Sequence, residues 1–321
     1  MRYAVIGTSG ITERFVTAAE RTGRYTLTAV CSRSARRGAA FAEKHAARSV
    51  VTSVEQLAAC ADVEAVYVAS PNALHAAQTE TLLRAGKHVL CEKTATVTAE
   101  EARRLHALAD AQGLVYREAL MGFYLPERKR ILEVLPTLGR ISYARFEFSQ
   151  RSSRYDAYLR GERVNIFDPT LAAGGLMDLG VYCVYPALDL FGTPKAMHTR
   201  AVLLKTGVDG SGVSLWDYPE MTVEIVWNKT GQQQSPSTII GDGGTLTIGL
   251  ISQLSDVQLH RNDGTVEVLS EPRDHTDSMT FEAAAFAELV ARGGAEDAAA
   301  TLQIAASEAM QTMRREIGLN F

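Results

Sequence analysis

Cysteine is scarce in this sequence: Cys31, Cys60, Cys91 and Cys183 are the only four among 321 residues, and no two form a C-x-x-C pair. That scatter excludes a zinc-knuckle arrangement or a disulfide-stapled scaffold and fits a reducing cytoplasm. Cys31 and Cys91 end apolar runs, where a buried free thiol is expected. A basic excess is also missing. With 33 Lys and Arg against 37 Asp and Glu, the net charge is -4, and no nucleic-acid partner is expected. No run of about 18 apolar residues suggests a bilayer span. The opening MRYAVIG enters an apolar run without the long hydrophobic stretch of a secretory leader. A membrane partner is therefore not expected, and the expected location is cytoplasmic. His260 and His275 show no ligand spacing, so no metal is expected.

What is present is an ordinary globular composition, 46% hydrophobic and 22% charged. A chain of 321 residues fits two domains better than one core. Up to about residue 120, apolar runs without alternation (Tyr3–Gly7, Thr26–Ser32, Ala65–Ser70, His88–Cys91, Leu114–Arg117) take turns with helical patterns (Ile11–Arg21, Arg36–Lys44, Ala73–Ala85, Ala99–Ala111). Such runs suit strands buried on both faces, and their strand–helix repetition implies right-handed crossovers in a parallel sheet. The character then changes. A helix is predicted over Glu127–Leu135, a half-buried strand over Ile141–Gln150, a polar loop over Arg151–Thr170 and a helix over Gly174–Phe191. Strand-like runs broken by Asp209-Gly210, Asp242-Gly243-Gly244 and Asn262-Asp263-Gly264 predict an antiparallel sheet over Ala196–Leu269. Helical patterns at Met279–Arg292 and Ala298–Glu316 follow.

The first strand-to-helix junction reads Val5-Ile6-Gly7-Thr8-Ser9-Gly10-Ile11-Thr12. A dinucleotide-binding junction has G-x-G-x-x-G there: one glycine for the tight turn, one admitting the pyrophosphate, and a helix N-terminus offering N–H groups to the anion. Gly7 fits the first place, while Ser9 and Thr12 stand in the other two and Gly10 adds freedom. The second strand ends in Ser32-Arg33-Ser34, followed by Arg36-Arg37, with no acidic residue to hold a ribose 2′-hydroxyl. Ser32 can donate a hydrogen bond and the guanidinium groups of Arg33 and Arg37 match a 2′-phosphate, so NADP(H) is expected over NAD(H), which remains possible. The fold expectation is α/β: an N-terminal Rossmann domain over residues 1–120 and a C-terminal α/β domain over 121–321 with a mainly antiparallel open sheet.

Two further strand ends fall on the same edge, where open α/β sheets bind ligands. One carries Ser70-Pro71-Asn72-Ala73-Leu74-His75 and the other Glu92-Lys93-Thr94. A third block, Gly174-Gly175-Leu176-Met177-Asp178-Leu179-Gly180-Val181-Tyr182, lies in the second domain. With these blocks the whole chain resembles the glucose–fructose oxidoreductase, inositol dehydrogenase and rhizopine-catabolism (Gfo/Idh/MocA) family. They match its P-N-x-x-H, E-K-P and G-G-x-L-x-D-x-G-x-H/Y motifs, with Thr94 in place of the proline. Tyr182 stands where most members carry histidine, which resembles the branch of glucose–fructose oxidoreductase, dimeric dihydrodiol dehydrogenase and certain xylose dehydrogenases.

The resemblance implies a cofactor site of Gly7, Thr8, Ser9, Gly10, Ile11, Ser32, Arg33, Arg37, Ser70, Pro71, Asn72, His75, Glu92 and Lys93. It implies hydride transfer between a nicotinamide and a carbonyl or secondary alcohol of a sugar, polyol, cyclitol or dihydrodiol. Tyr182 is the expected acid/base, assisted by Lys93, with Asp178 holding a substrate hydroxyl. A homodimer or dimer of dimers is implied as well. Residue chemistry agrees. Asp178 and Tyr182 are four apart on a predicted helix and share a face. A free tyrosine titrates near 10, so it can donate a proton at neutral pH, and a nearby ammonium favours its phenolate. The competing expectation is a regulatory or sensor protein that binds the dinucleotide on this fold without turnover. A sensor needs the cofactor loop but neither Lys93 nor Tyr182.

Overall fold

The computed structural model describes residues 1–294 and 298–321. The chain divides into two compact units, Met1–Met121 with Asp274–Thr301, and Gly122–Arg273 with Leu302–Phe321.

The first unit alternates strand and helix: β1 (Arg2–Ile6), α1 (Gly10–Arg21), β2 (Thr26–Cys31), α2 (Ala35–Lys44), β3 (Ser49–Val51), α3 (Val54–Ala58), β4 (Ala65–Val68), α4 (Asn72–Arg84), β5 (His88–Glu92), α5 (Ala99–Ala111) and β6 (Tyr116–Ala119). Its strands lie in the order β3-β2-β1-β4-β5-β6, and every pair is parallel. That order is the doubly wound dinucleotide arrangement, whose switch point lies between β1 and β4. The unbroken apolar runs are explained by burial on both faces: all of β4 is buried, and Val66, Val68, Val89 and Leu82 share one core. Helix α5 starts on a capping box in which Thr98 and Glu101 satisfy each other's backbone N–H groups. The short β3 and α3 were not predicted, because three residues show too little periodicity to read.

The second unit contains α6 (Pro126–Val134), β7 (Ile141–Ser149), α7 (Tyr155–Leu159), a π turn at Leu176–Gly180, and α8 (Val181–Phe191). There follow β8 (Ala196–Leu203), β9 (Asp209–Asp217), β10 (Thr222–Asn228), β11 (Ser237–Gly241), β12 (Gly244–Leu250), β13 (Ser255–Arg261) and β14 (Val266–Val268). The sheet order is β14-β13-β12-β11-β7-β10-β9-β8. Its pairs are antiparallel except β7 with β10, which run parallel, so the sheet is mainly antiparallel as expected, and every pair formed within Ala196–Leu269 is antiparallel. Alternation fixes which face a residue takes but not which distant strand lies beside it. The π turn and α8 cover the sheet at β7 and β10, over a core holding Phe146, Trp216 and Trp227.

Three local expectations are corrected. Arg151–Thr170 is not plain loop: it holds α7, and Tyr155, Tyr158 and Phe167 pack as a ring cluster. The helix predicted from Gly174 opens as a π turn. The helix predicted over Met279–Arg292 begins earlier, as α9 (His275–Ala291), and belongs to the first unit. There it packs on α1, Tyr25 donates to the Ala283 carbonyl at 2.6 Å, and Arg21 pairs with Asp277. A boundary drawn at residue 120 therefore does not separate the compact units cleanly. The last helix, α10, spans Ala298–Glu316. By length and composition Pro169–Phe191 could cross a bilayer, but 78% of its apolar window is buried within the protein, as in a core helix.

Candidate active site

At the β1–α1 junction, Gly7 has φ +106°, a conformation that favours glycine. A Cβ there would stand 2.6 Å from the Ala69 carbonyl oxygen at the end of β4. The absent side chain thus lets the two strand ends approach. Ser9 is the N-cap of α1, yet its side chain makes no cap hydrogen bond, unlike α2, where Ser34 accepts from Arg37 N. The Ser9 hydroxyl instead lies 3.2 Å from Thr12 Oγ1, and Thr12 is fully buried. Thr12 thus occupies the glycine position that normally permits close helix–sheet packing. Thr8 and Ile11 are half-buried, and Ser9 and Gly10 are exposed. Open N–H groups at the start of α1 and a turn stripped of side chain fit a pyrophosphate.

Beyond β2, Ser32 is buried with its N–H on the Val51 carbonyl at 3.0 Å, and its Cβ lies beneath Gly38 of α2. Arg33, Arg36 and Arg37 are exposed around the start of α2. Among the described residues none of the three makes an ion pair, so their charge is not offset locally.

The ends of β4 and β5 are tied together by His75. It is 1% exposed, with Nδ1 2.9 Å from the Thr94 carbonyl and Nε2 2.7 Å from the Ser70 carbonyl. Burial holds the imidazole below its ordinary pKa, against the two carbonyls, which favour the proton. Both ring nitrogens face main chain, so His75 fixes where the chain leaves Lys93 instead of offering a nitrogen to a cofactor. Ser70 Oγ donates to Gln78 at 2.8 Å, while Pro71 and Asn72 open α4 half-buried. Glu92 is similarly occupied, since it is buried and accepts from the Tyr67 hydroxyl. Lys93 is half-buried at the carboxyl end of the sheet, and its peptide bond to Thr94 is cis. Glu92, Glu118 and Glu282 are all buried, and the first two lie near enough to the third to repel its charge. Burial, then repulsion from the other two, pushes Glu282 well above the carboxylate range, and its Oε2 has no hydrogen-bond partner among the described residues.

In the second unit the glycine-rich block is shaped by Asp209 and Trp227. Asp209 Oδ2 accepts from Leu176 N and from the Trp227 indole, each at 2.6 Å. Burial pushes this carboxyl above its usual range, although N–H donors pull the other way. A Cβ on Gly175 would stand 2.8 Å from Trp227 Cδ1, which explains why the block needs a glycine there. Asp178 lies within the π turn, a bulge often found at functional sites. Tyr182 lies in the first turn of α8, half-buried, with its ring edge-on to Phe148 of β7 at 5.4 Å. Tyr185, one turn on, is buried.

Sequence reasoning missed Lys229, Asp209 and Glu282. Lys229 Nζ pairs with the Asp178 carboxylate. The signal was present in Thr222–Lys229, where Val223, Ile225 and Trp227 are buried and Lys229 falls on the same register. Arg151, in the polar stretch before the block, pairs with exposed Asp156. Among the described residues no group of three or more His, Cys, Asp or Glu side chains is arranged to hold a metal ion.

Residues 1–120 match the oxidoreductase family with an NAD-binding Rossmann fold, and 136–247 match the GFO/IDH/MocA C-terminal domain. The chain is 36% identical to the scyllo-inositol 2-dehydrogenase (NADP(+)) IolU of Bacillus subtilis, covering 99% of this chain and 98% of that protein. It is 32% identical to the mouse trans-1,2-dihydrobenzene-1,2-diol dehydrogenase over 68% of this chain and 65% of that one. Among solved structures, the 3-ketoreductase KijD10 of Actinomadura kijaniata, in complex with NADP, superposes with a TM-score of 0.86 at 24% identity, covering 99% of this chain and 98% of that one.

Proposed function

This chain belongs to the Gfo/Idh/MocA family of oxidoreductases, and from that premise we propose that it is an NADP(H)-dependent dehydrogenase. Its substrate is a carbonyl or secondary alcohol of a cyclitol, sugar, polyol or dihydrodiol. What carries the reading is the shared carboxyl edge of the β3-β2-β1-β4-β5-β6 sheet, where the glycine turn at Gly7, the uncapped α1 and Lys93 all lie. The names of the relatives, an inositol dehydrogenase using NADP(+) and a dihydrodiol dehydrogenase, support the cofactor and substrate class.

Gly7, Thr8, Ser9, Gly10 and Ile11 hold the pyrophosphate through main-chain N–H groups. Ser32, Arg33 and Arg37 hold the 2′-phosphate. Ser70, Pro71 and Asn72 line the path to the nicotinamide, and His75 and Glu92 fix the loops that carry it. The bound nicotinamide supplies hydride chemistry at the substrate carbon. Tyr182 gives its phenolic proton to the substrate oxygen during reduction and takes it back during oxidation. Lys93 places an ammonium beside that oxygen, favouring its negative form. Asp178 accepts a hydrogen bond from a hydroxyl that does not react. Residues 1–120 serve the dinucleotide and 121–321 serve substrate recognition and self-association as a homodimer or dimer of dimers, in the cytoplasm.

The test is oxidation of scyllo-inositol and vicinal diols, followed by the absorbance of NADPH. Positioned acid/base help is worth about 10²–10⁴ in rate. Tyr182→Phe is expected to lose that much in kcat with NADPH affinity nearly unchanged. Full turnover in this variant removes tyrosine from the mechanism.

A further inference from the structure

Strand β10 ends by sending two inward residues at the glycine-rich block. Trp227 lies against Gly175 and donates to Asp209, and Lys229, two residues on, reaches Asp178. The main chain of Lys229 is held on both sides: its N–H donates to the Gly210 carbonyl at 2.7 Å and its carbonyl accepts from Ser152 N at 2.9 Å. The turn that follows is closed by Asn228 Oδ1, which accepts from Thr230 N at 2.8 Å and Gly231 N at 3.0 Å. Lys229 is therefore delivered from a fixed strand end, unlike a surface lysine on a free stem. Its side chain is 8% exposed and that of Asp178 24%. A lysine so deeply covered needs its carboxylate, because an unpaired buried ammonium is strongly destabilising. The carboxylate in turn loses its freedom to rotate, while keeping surface that a ligand can reach.

We infer that Lys229 is a positioning residue for substrate recognition: it locks the Asp178 carboxylate as a hydrogen-bond acceptor for a hydroxyl next to the reacting carbon. This rests on the dehydrogenase reading above and adds to it a preference for vicinal hydroxyls. A carboxylate held in one rotamer selects for a hydroxyl at one position, and a site built around that bond rejects an analogue lacking the group. Lys229 takes no part in the proton transfer, so its removal acts on KM and leaves kcat largely intact.

The probe is scyllo-inositol, with Kd measured calorimetrically on the protein saturated with NADPH and with kcat and KM from NADP+ reduction. Lys229→Met is expected to raise Kd and KM about tenfold or more while kcat falls less than about threefold, and Lys229→Arg to restore most of the loss. Lys229→Gln, a milder change, is expected to weaken binding in the same sense should the methionine variant not fold. In an Asp178→Asn background, Lys229→Met is expected to add nothing, since the lysine acts through that carboxylate. Unchanged Kd in the neutral variants, a loss confined to kcat, or full additivity with Asp178→Asn overturns the inference. Wild-type protein that binds scyllo-inositol without oxidising it defeats the dehydrogenase reading for this substrate, while the Kd comparison still decides the role of Lys229. Wild-type protein that does not bind it overturns the preference for vicinal hydroxyls.

Discussion

Replacing Gly7 with alanine should damage fold and cofactor binding together, and the size follows from two contacts. At φ +106° a side chain is strained, which costs about 1–3 kcal/mol. The new Cβ would also stand 2.6 Å from the Ala69 carbonyl oxygen. That oxygen cannot swing aside freely, because Ala69 N donates to the Ile6 carbonyl at 2.9 Å where β1 and β4 end. A loss of about 2–3 kcal/mol corresponds to roughly 3–5 °C in Tm for a chain of this size. If the turn opens to relieve the clash, NADPH affinity falls by about 10–100-fold, at 1.4 kcal/mol per factor of ten. Gly10 is the control. It lies in α1 with nothing within 4 Å of its would-be Cβ, so alanine there should leave Tm unchanged or raise it slightly. Thermal melts and a fluorescence titration with NADPH measure both effects. Gly7→Ala protein that melts and binds like wild type, or two variants whose Tm values fall equally, would refute the reasoning.

Three further outcomes are expected. Replacing Arg33 and Arg37 with alanine should weaken NADPH binding about tenfold or more and leave NADH almost unaffected, since only NADPH carries the 2′-phosphate; equal losses for both would contradict this. Glu282, whose pKa is raised by burial and then by Glu92 and Glu118, contributes fully below its unfolded value near 4.5 and loses stability as pH rises toward its folded value. Glu282→Gln should therefore gain over wild type at pH 8, by about 1–3 kcal/mol, with the gain shrinking toward pH 4; a gain independent of pH counts against the buried acid. Asp209→Asn should cost about 1.5–3 kcal/mol, because the amide replaces charge-assisted bonds to Leu176 N and the Trp227 indole. The near-ultraviolet dichroism of Trp227 reports that change, and an unaltered spectrum with unaltered Tm speaks against it.

Much of the molecule was legible because its signals are local. The apolar runs of β1, β2, β4 and β5 have no alternation because both faces are covered, and that property alone identifies a parallel sheet. The three motif blocks could be read as chemistry because a glycine turn, a lysine at a strand end and a tyrosine on a helix each act through their own backbone setting. Lys229 was also within reach, since the alternation through Val223, Ile225 and Trp227 carries it inward, although a lysine after a strand usually signals solvent.

The sequence by itself determined the family, the strand–helix alternation of the first 120 residues apart from β3 and α3, and the absence of an acidic residue after β2. Each follows from neighbours along the chain. Tertiary structure alone decided that β7 lies parallel to β10, that α9 joins the first unit, that Asp209 accepts from Leu176 N, that Glu282 is buried near Glu92 and Glu118, and that Lys229 pairs with Asp178. Those facts depend on which surfaces distant segments cover, and burial energy acts on the summed surface and not on sequence spacing.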